Sequence, residues 1–269
     1  MVSEVVYTER TPRVVAARKL HRRAERLETG RFLVEGAQAV REAVSAGPVE
    51  VFELFATEAA ASRHPDLLAA AVGRGARVSS ISERAAAALS DTTTPQGILA
   101  VCATVTVPLA DVLAPAPRLV AVLVGVADPG NAGTVIRAAD AAGAGAVVLT
   151  GDSVDPHNGK CVRASAGSLF HLPIAVERDQ AATLGALRAA GLRLLATDAG
   201  ADIDLETATG LERPTAWLFG SEAHGLPPSV LAEADDVVAV PIYGRAESLN
   251  LATAAAVCLY RSASAQRGH

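Results

Sequence analysis

The sequence predicts an α/β protein in two parts, a smaller N-terminal α/β domain and a larger C-terminal domain built on a parallel sheet. Three observations predict it. Short apolar runs alternate with helical patterns along most of the 269 residues. In the C-terminal part those runs are nearly continuous, as strands are when helices cover both faces of a parallel sheet. Between the two patterns, TVPLADVLAPAPR (106–118) carries three prolines and reads as a linker. The expected division is therefore 1–105, a linker over 106–118, and 119–269.

Taken in order, VVAARKLHRRAERLET (14–29) spaces Ala17, Leu20, Ala24 and Leu27 as one face of a helix, with Arg18, Arg22 and Arg26 on another. FLVEG (32–36) is a short strand, and the helix after it ends at Gly47-Pro48. VEVFELFA (49–56) is a second strand. A helix starts after Pro65, RVSSI (77–81) is a third strand, an alanine-rich helix follows, and GILAVCATV (97–105) is the last strand of this part. Beyond the prolines the strands are LVAVLVGV (119–126), AVVLT (146–150), PIAV (173–176), LRLLAT (192–197), TAWLF (215–219) and VVAVP (237–241). Helical segments separate most of them, and a helix over about 248–262 closes the chain.

Half the residues are apolar but only 3% are aromatic, so the cores must be built from Ala, Val and Leu. A net charge of −5 argues against a general nucleic-acid coat protein. The charge is unevenly spread. Residues 10–31 hold eight Arg or Lys against two acids, and residues 201–240 hold eight Asp or Glu against one Arg. This reads as a basic arm on an acidic body. Cys102, Cys161 and Cys258 lie far apart, which gives no metal pair and no disulfide framework and fits a reducing cytoplasm. The six histidines lack ligand spacing, so no metal is expected. MVSEVVYTER has no signal-peptide core and no run of about 18 apolar residues occurs, so no membrane is expected either.

In doubly wound sheets ligands bind beyond the carboxyl ends of the strands, and three unusual loops sit there. In ADPGNAGTVIRAA (127–139), Pro129-Gly130 makes a turn, Asn131 can cap the following helix, and free amides favour an anion. Arg137 lies on the side of Gly133 and Thr134, where its planar fork suits a phosphate. In FGSEAHGL (219–226), Gly220 and Gly225 let a ligand approach the backbone and Glu222 can face a positive charge. In PIYGRAESLNLATAAA (241–256), Ser248 is a plausible N-cap and Asn250 falls in the first turn of the last helix. Taken singly, each loop reads about as well as a simple capped turn. A nucleotide-binding oxidoreductase would want G-x-G-x-x-G after the first strand, which LVGVADPGNAG does not supply, and a serine hydrolase would want G-x-S-x-G, which is absent.

As a set the loops resemble the SpoU/TrmH family of RNA ribose 2′-O-methyltransferases, within the SPOUT superfamily. The residues that carry the resemblance are Asp128-Pro129-x-Asn131-x-Gly133-x-x-x-Arg137, then Phe219-Gly220-x-Glu222-x-x-Gly225-Leu226, then Pro241 through Ser248-Leu249-Asn250. RASAGSLFHLP (163–173) is similar to the family's segment between the first two motifs. FLVEG with its helix, and TTTPQGILAV (92–101), look like its N-terminal substrate-binding domain. Two departures occur: Leu251-Ala252-Thr253 stands where a valine-serine pair is frequent, and His224 occupies a variable position.

The resemblance implies a catalytic domain with a deep trefoil knot, a feature essentially absent from ordinary folds. It implies S-adenosylmethionine as cofactor, and a homodimer with the site at the subunit interface. The cofactor walls by similarity are Leu195–Thr197 (with Ala196), Leu218–Gly220 (with Phe219), Val240, Ile242, and Ser248–Asn250 (with Leu249). Asn131, Arg137, Glu222, Ser248 and Asn250 are the implied catalytic set. The first loop then receives the ribose and its phosphate. Asn131 orients Arg137 or the ribose, and Arg137 clamps the target nucleotide and lowers the pKa of its 2′-hydroxyl, because a guanidinium does not itself give up a proton. The proton passes to RNA phosphate, Glu222 or water. Arg18, Lys19, Arg22, Arg23 and Arg26 are expected along the RNA backbone above Phe32, with Arg163 near the site. Ribosomal RNA is the favoured substrate because of the separate N-terminal domain. Transfer RNA, or a non-catalytic RNA-binding relative, remain as alternatives.

Overall fold

The computed structural model describes residues 5–45 and 49–268. The helix end expected at Gly47-Pro48 lies outside them, as does the start of the N-terminal stretch, residues 1–4. The chain forms two compact units, Met1–Val105 with Asp155–His171, and Thr106–Val154 with Leu172–His269. Residues 155–171, expected with the C-terminal part, belong instead to the first unit.

The first unit runs α1 (Pro12–Lys19), α2 (Arg23–Thr29), β1 (Arg31–Glu35), α3 (Ala37–Ser45), β2 (Val51–Ala56), α4 (Glu58–Arg63), α5 (Pro65–Gly73), β3 (Arg77–Ser80), α6 (Glu83–Leu89) and β4 (Ile98–Ala103). Its sheet has the order β1-β4-β2-β3. The β1–β4 and β4–β2 pairs are antiparallel, and β2–β3 is parallel. Thr57 and Ser82 cap α4 and α6 by accepting from the backbone amides of Ala60 and Ala85. The Thr57 cap starts α4, a helix that apolar spacing does not announce. One face of the sheet buries Val14, Leu20, Phe55, Ile81, Leu89 and Leu99.

The single helix expected over 14–29 is two helices, and Arg26 bridges the break. Its Nη1 donates to the carbonyls of Leu20 and His21, each at 2.8 Å, acceptors that a continuous helix would bond to its own amides. The break changes which side faces inward. Ala24 and Leu27, expected on one apolar helix face with Ala17 and Leu20, are exposed, Leu27 by 72%, whereas Arg26 is only 4% exposed. Arg26 Nε and Nη2 bond Asp155 Oδ2 at 2.9 and 2.8 Å. His157 Nε2 accepts the Val105 amide at 3.0 Å, so its Nδ1 carries the proton and donates to Asp155 Oδ1 at 3.2 Å. Burial opposes ionisation of Asp155, yet His157 and Arg26 hold its carboxyl well below the usual carboxylate range. Phe32, fully buried, packs against the His157 ring with centroids 4.7 Å apart. This cluster ties residues 155–157 to α2 and β1 within the first unit.

The second unit opens with α7 (Leu109–Leu113), in the stretch expected to be a linker. Leu109, Val112 and Leu113 share one face of a helix that the flanking prolines delimit. Val112 is buried in the core with Leu184 and Leu187, and the Val107 amide bonds the Ile174 carbonyl at 2.9 Å. The unit continues with β5 (Leu119–Val124), α8 (Pro129–Ala142) and β6 (Ala146–Thr150). The chain then visits the first unit, where α9 (Gly159–Ala164) lies, and returns. Next come β7 (Ile174–Glu177), α10 (Gln180–Ala189), β8 (Arg193–Thr197), β9 (Ile203–Asp204), β10 (Thr215–Phe219), α11 (Pro228–Glu233), β11 (Asp236–Ala239) and α12 (Leu251–Arg267). The seven strands lie in the order β7-β6-β5-β10-β8-β11-β9, and every pairing is parallel. All residues of β5, β6 and β10 are buried, which is why those runs read as continuous in the sequence. Trp217 is fully buried in β10, and its indole donates to Ser262 Oγ of α12 at 2.9 Å, which satisfies its one polar atom.

Cys102, Cys161 and Cys258 are buried and form no disulfide, and burial pushes the thiols of Cys102 and Cys258 up to about 12. No helix among the described residues is long and apolar enough to cross a membrane. Among them, too, no group of three or more His, Cys, Asp or Glu is placed to hold a metal ion.

Candidate functional site

At the carboxyl ends of β8, β10 and β11 the second unit holds a cavity of about 840 Å³, within the range of roughly 300–1,000 Å³ typical of small-molecule sites. Three loops wall it. Thr197 and Asp198 come from the end of β8, Gly220 to Glu222 from the end of β10, and Val238 to Ile242 with Ser248 to Leu251 from the last connection. Of the expected cofactor residues, Thr197, Gly220, Val240, Ile242, Ser248, Leu249 and Asn250 line the cavity. Leu195, Ala196, Leu218 and Phe219 do not; they are buried in the strands behind it, none more than 1% exposed. Asp198, His224, Glu247 and Leu251 line it and are not anticipated, although each neighbours an expected segment. Among the described residues, the charged side chains on the wall are the carboxylates Asp198, Glu222 and Glu247, with no Lys or Arg. Such a wall favours a cation lying on an apolar floor.

Gly220 is forced by geometry. A Cβ there would fall 2.2 Å from the Gly225 carbonyl carbon, because the loop closes tightly on itself. The Ser221 and Gly225 amides and carbonyls exchange hydrogen bonds of 3.2 and 2.8 Å. Gly225 takes a left-handed φ of +64°. This turn holds Glu222 at the cavity rim.

The caps differ from expectation in both flanking helices. Asp128, not Asn131, caps α8; its Oδ1 accepts the Asn131 amide at 2.8 Å, and Pro129 takes the first helical position. Asn250, not Ser248, caps α12, accepting the amides of Ala252 at 3.0 Å and Thr253 at 3.4 Å. Freed from capping, the Asn131 side chain meets two partners. Its Nδ2 donates to Glu222 Oε1, and its Oδ1 accepts Asn250 Nδ2 at 3.1 Å. The polarity of this chain is fixed from one end. Asn250 Oδ1 faces backbone donors, so its Nδ2 faces Asn131 Oδ1 and Asn131 Nδ2 faces the carboxylate. The start of α8, the turn after β10 and the connection before α12 are thereby joined, although Asn131 itself does not line the cavity.

Arg137 is exposed on α8 and makes no hydrogen bond or ion pair among the described residues. Asn131 bonds Glu222 and Asn250 rather than Arg137, contrary to one of its two expected uses. In the first unit, Arg18, Lys19, Arg22 and Arg23 are exposed, as a basic face requires. Arg26 is not available to RNA: it is consumed by Asp155 and two carbonyls, which corrects its place among the RNA-contacting residues. Arg163, also in the first unit, directs Nη1 at Glu35 Oε2 (3.4 Å) and Asp91 Oδ1.

Residues 118–260 match the SpoU rRNA Methylase family, and residues 11–100 match the MRM3-like substrate binding domain. The chain is 37% identical over 243 residues to the 23S rRNA (guanosine(2553)-2′-O)-methyltransferase RlmP of Bacillus subtilis, covering 90% of this chain and 92% of that protein. Its fold is similar to that of the AdoMet-bound rRNA methyltransferase from Sinorhizobium meliloti, with a TM-score of 0.85, 32% identity and 97% of each chain covered. It is also similar to the SpoU methyltransferase AviRb from Streptomyces viridochromogenes in complex with AdoMet, with a TM-score of 0.84, 28% identity, and 96% and 100% of the two chains covered.

Proposed function

The chain belongs to the SpoU rRNA methylase family, and on that premise we propose that it methylates a ribose 2′-hydroxyl of ribosomal RNA at the cavity beyond β8, β10 and β11. It is an S-adenosylmethionine-dependent RNA 2′-O-methyltransferase. The observation that carries the assignment of the site is the cavity itself. It combines the size of a small-molecule pocket, an apolar floor of Val238, Val240, Ile242 and Leu251, and a rim of three carboxylates without a Lys or Arg among the described residues. Those residues fit S-adenosylmethionine, whose adenosine needs apolar walls and whose sulfonium is cationic. When bound, it supplies an activated methyl group.

The chain's own residues have separable tasks. Glu222, Asn131 and Asn250 form one hydrogen-bonded chain across the three loops and hold the rim in a single arrangement. For the 2′-oxygen to accept a methyl group, its proton must leave. Arg137, a permanent cation, stabilises the developing negative charge on that oxygen and grips the neighbouring phosphate. The proton goes to RNA phosphate, Glu222 or water. Ser248 completes the wall beside Asn250. Alignment of the reacting atoms supplies much of the acceleration.

The working unit in this reading is a homodimer, with the catalytic domain knotted and the protein in the cytoplasm. Support for the dimer comes from the surface that α8 and α12 share. Val257 and Tyr260 are 42% and 52% exposed on α12, Tyr260 Oη donates to the Ala141 carbonyl of α8 at 3.3 Å, and Arg137 lies exposed on α8. A partner covering that face would bury the aromatic ring and bring Arg137 to a site. Arg18, Lys19, Arg22 and Arg23 contact RNA phosphates, which position the substrate without reading its sequence.

The test is calorimetric titration of S-adenosylmethionine into the purified protein, with sedimentation to count subunits, followed by transfer of labelled methyl to ribosomal RNA. Saturable binding to a dimer and label on ribose 2′-oxygens are expected. Binding without transfer to any ribosomal RNA would overturn the substrate assignment.

A further inference from the structure

We propose that a groove in the first unit holds an unpaired nucleobase of the RNA substrate; this rests on the reading that the substrate is RNA. The groove has a volume of about 300 Å³, and Glu35, Gln38, Thr92, Thr94, Gln96 and Arg163 are among the residues lining it. It shares no residue with the methyl-donor cavity.

Two amide side chains in it are fixed in opposite senses. Gln96 Oε1 accepts the Ala37 amide at 3.0 Å, so its Nε2 is the free end. Gly36 makes this possible. Its φ is +95°, and a Cβ would stand 3.3 Å from Gln96 Oε1. Gln38 Nε2 donates to Glu42 Oε1 at 2.9 Å, and the other oxygen of Glu42 meets His171 Nε2 at 3.1 Å. The free end of Gln38 is therefore its Oε1. The groove thus offers one oriented donor and one oriented acceptor without ambiguity. The edge of a nucleobase presents the same pair in reverse.

The charged groups favour a base over a phosphate. Glu35 Oε1 is occupied by the hydroxyls of Ser90 and Thr92, the latter at 3.2 Å, and its Oε2 by Arg163. Asp91 holds the same Arg163 nitrogen. Two carboxylates on one guanidinium leave no positive excess for an anion. They pin the guanidinium, whose plane is a surface on which a base can stack. A base in a duplex cannot enter such a groove, so the occupant is unpaired.

Gln38→Met and Gln96→Met remove the two free polar ends without changing charge. Binding of each full-length variant to a 23S rRNA transcript is measured across salt concentrations, beside its S-adenosylmethionine affinity and its melting temperature. Each variant is expected to lose about tenfold in RNA affinity with an unchanged salt slope, since a base contact releases no counterions. Ultraviolet crosslinking of a 4-thiouridine transcript should label residues 36–42 or 91–97. Wild-type affinity in both variants, or a loss accompanied by a shallower salt slope, would overturn the proposal. If Gln96→Met melts early through the lost Ala37 bond, Gln38→Met decides, because it leaves that bond intact. The two readings fail separately. Methyl transfer by wild type with variants that bind RNA normally sinks the groove alone. RNA binding that the variants weaken, with no methyl transfer by wild type, sinks the enzymatic assignment and leaves the groove standing.

Discussion

Two polar networks, one in each unit, join residues far apart in sequence and do so in opposite surroundings. Arg26 and His157 are buried in the first unit and bond the half-buried Asp155 between them. Glu222 and Asn250, at the rim of a cavity in the second, form an open chain through Asn131. The first network spends most of its hydrogen-bonding capacity on the protein and fixes a segment. The open one keeps lone pairs and N–H groups for a ligand. A polar cluster is informative about function when it is organised but incomplete.

The sharpest way to break the contrast is Asp155→Ala. It strands the Arg26 charge in the interior and should cost about 3–5 kcal/mol in the first unit, read by calorimetric melting. The affinity for S-adenosylmethionine, whose proposed cavity lies in the second unit, should stay within about twofold. The same carboxylate sets a pH dependence. Its folded-state pKa is depressed, so its contribution is present above the unfolded carboxylate range of roughly 3.9 and is lost as pH falls below that value. Melts from pH 7 to pH 3 should show wild type beginning to lose this stability at the acidic end. The alanine variant, which has nothing to lose there, should fall less.

Next in size is Arg137→Ala. Removing the cation proposed to meet developing charge should lower the methyl-transfer rate by about 10²–10³-fold with cofactor binding nearly intact. A variant that retains turnover refutes the role. It should also leave the melting of the first unit where it was, the converse of the Asp155 result.

Much of the fold and the site is legible in the sequence, and what is not shares a cause. The strands of the second unit stand out because both faces are covered, so TAWLF and LVAVLV show apolar residues without a break. The three loops stand out because glycines, caps and charges concentrate at strand ends. Arg26 escapes such reading because its partner lies 129 residues away, and helical spacing alone puts it on the solvent side. Residues 106–118 resemble a linker because prolines dominate the stretch, while the three apolar residues of α7 between them are a weaker signal. Leu195 and Phe219 belong to strands that end at the site, which suggests a cofactor contact, but both are buried under the sheet's covering layers, and the cavity is lined by the ends of the strands and the residues that follow them. Ser248 and Asn250 are both good caps on chemistry; the path of the loop selects the second.

A smaller effect sharpens the comparison from the open side. Asn250→Ala removes both the α12 cap and the link to Asn131, and should cost about 1 kcal/mol of stability along with reduced transfer. Asn250→Asp keeps the capping oxygen and loses only the donor to Asn131. Recovery of the melting temperature without recovery of transfer would separate cap from chain. Smallest is Arg18→Gln with Arg22→Gln, which should flatten the logarithmic salt dependence of RNA binding by about one for each phosphate no longer neutralised. An unchanged slope would make those arginines a solvated face.

The buried thiols have a use of their own. Cys102 sits in the sheet of the first unit and Cys258 in the last helix of the second, both held as unreactive thiols by burial. An alkylating reagent can modify either one only when its surroundings open. The rate at which each thiol becomes labelled is therefore a clock for its own unit. Mass spectrometry of the two alkylated peptides would time both openings in one wild-type sample, without any engineered residue.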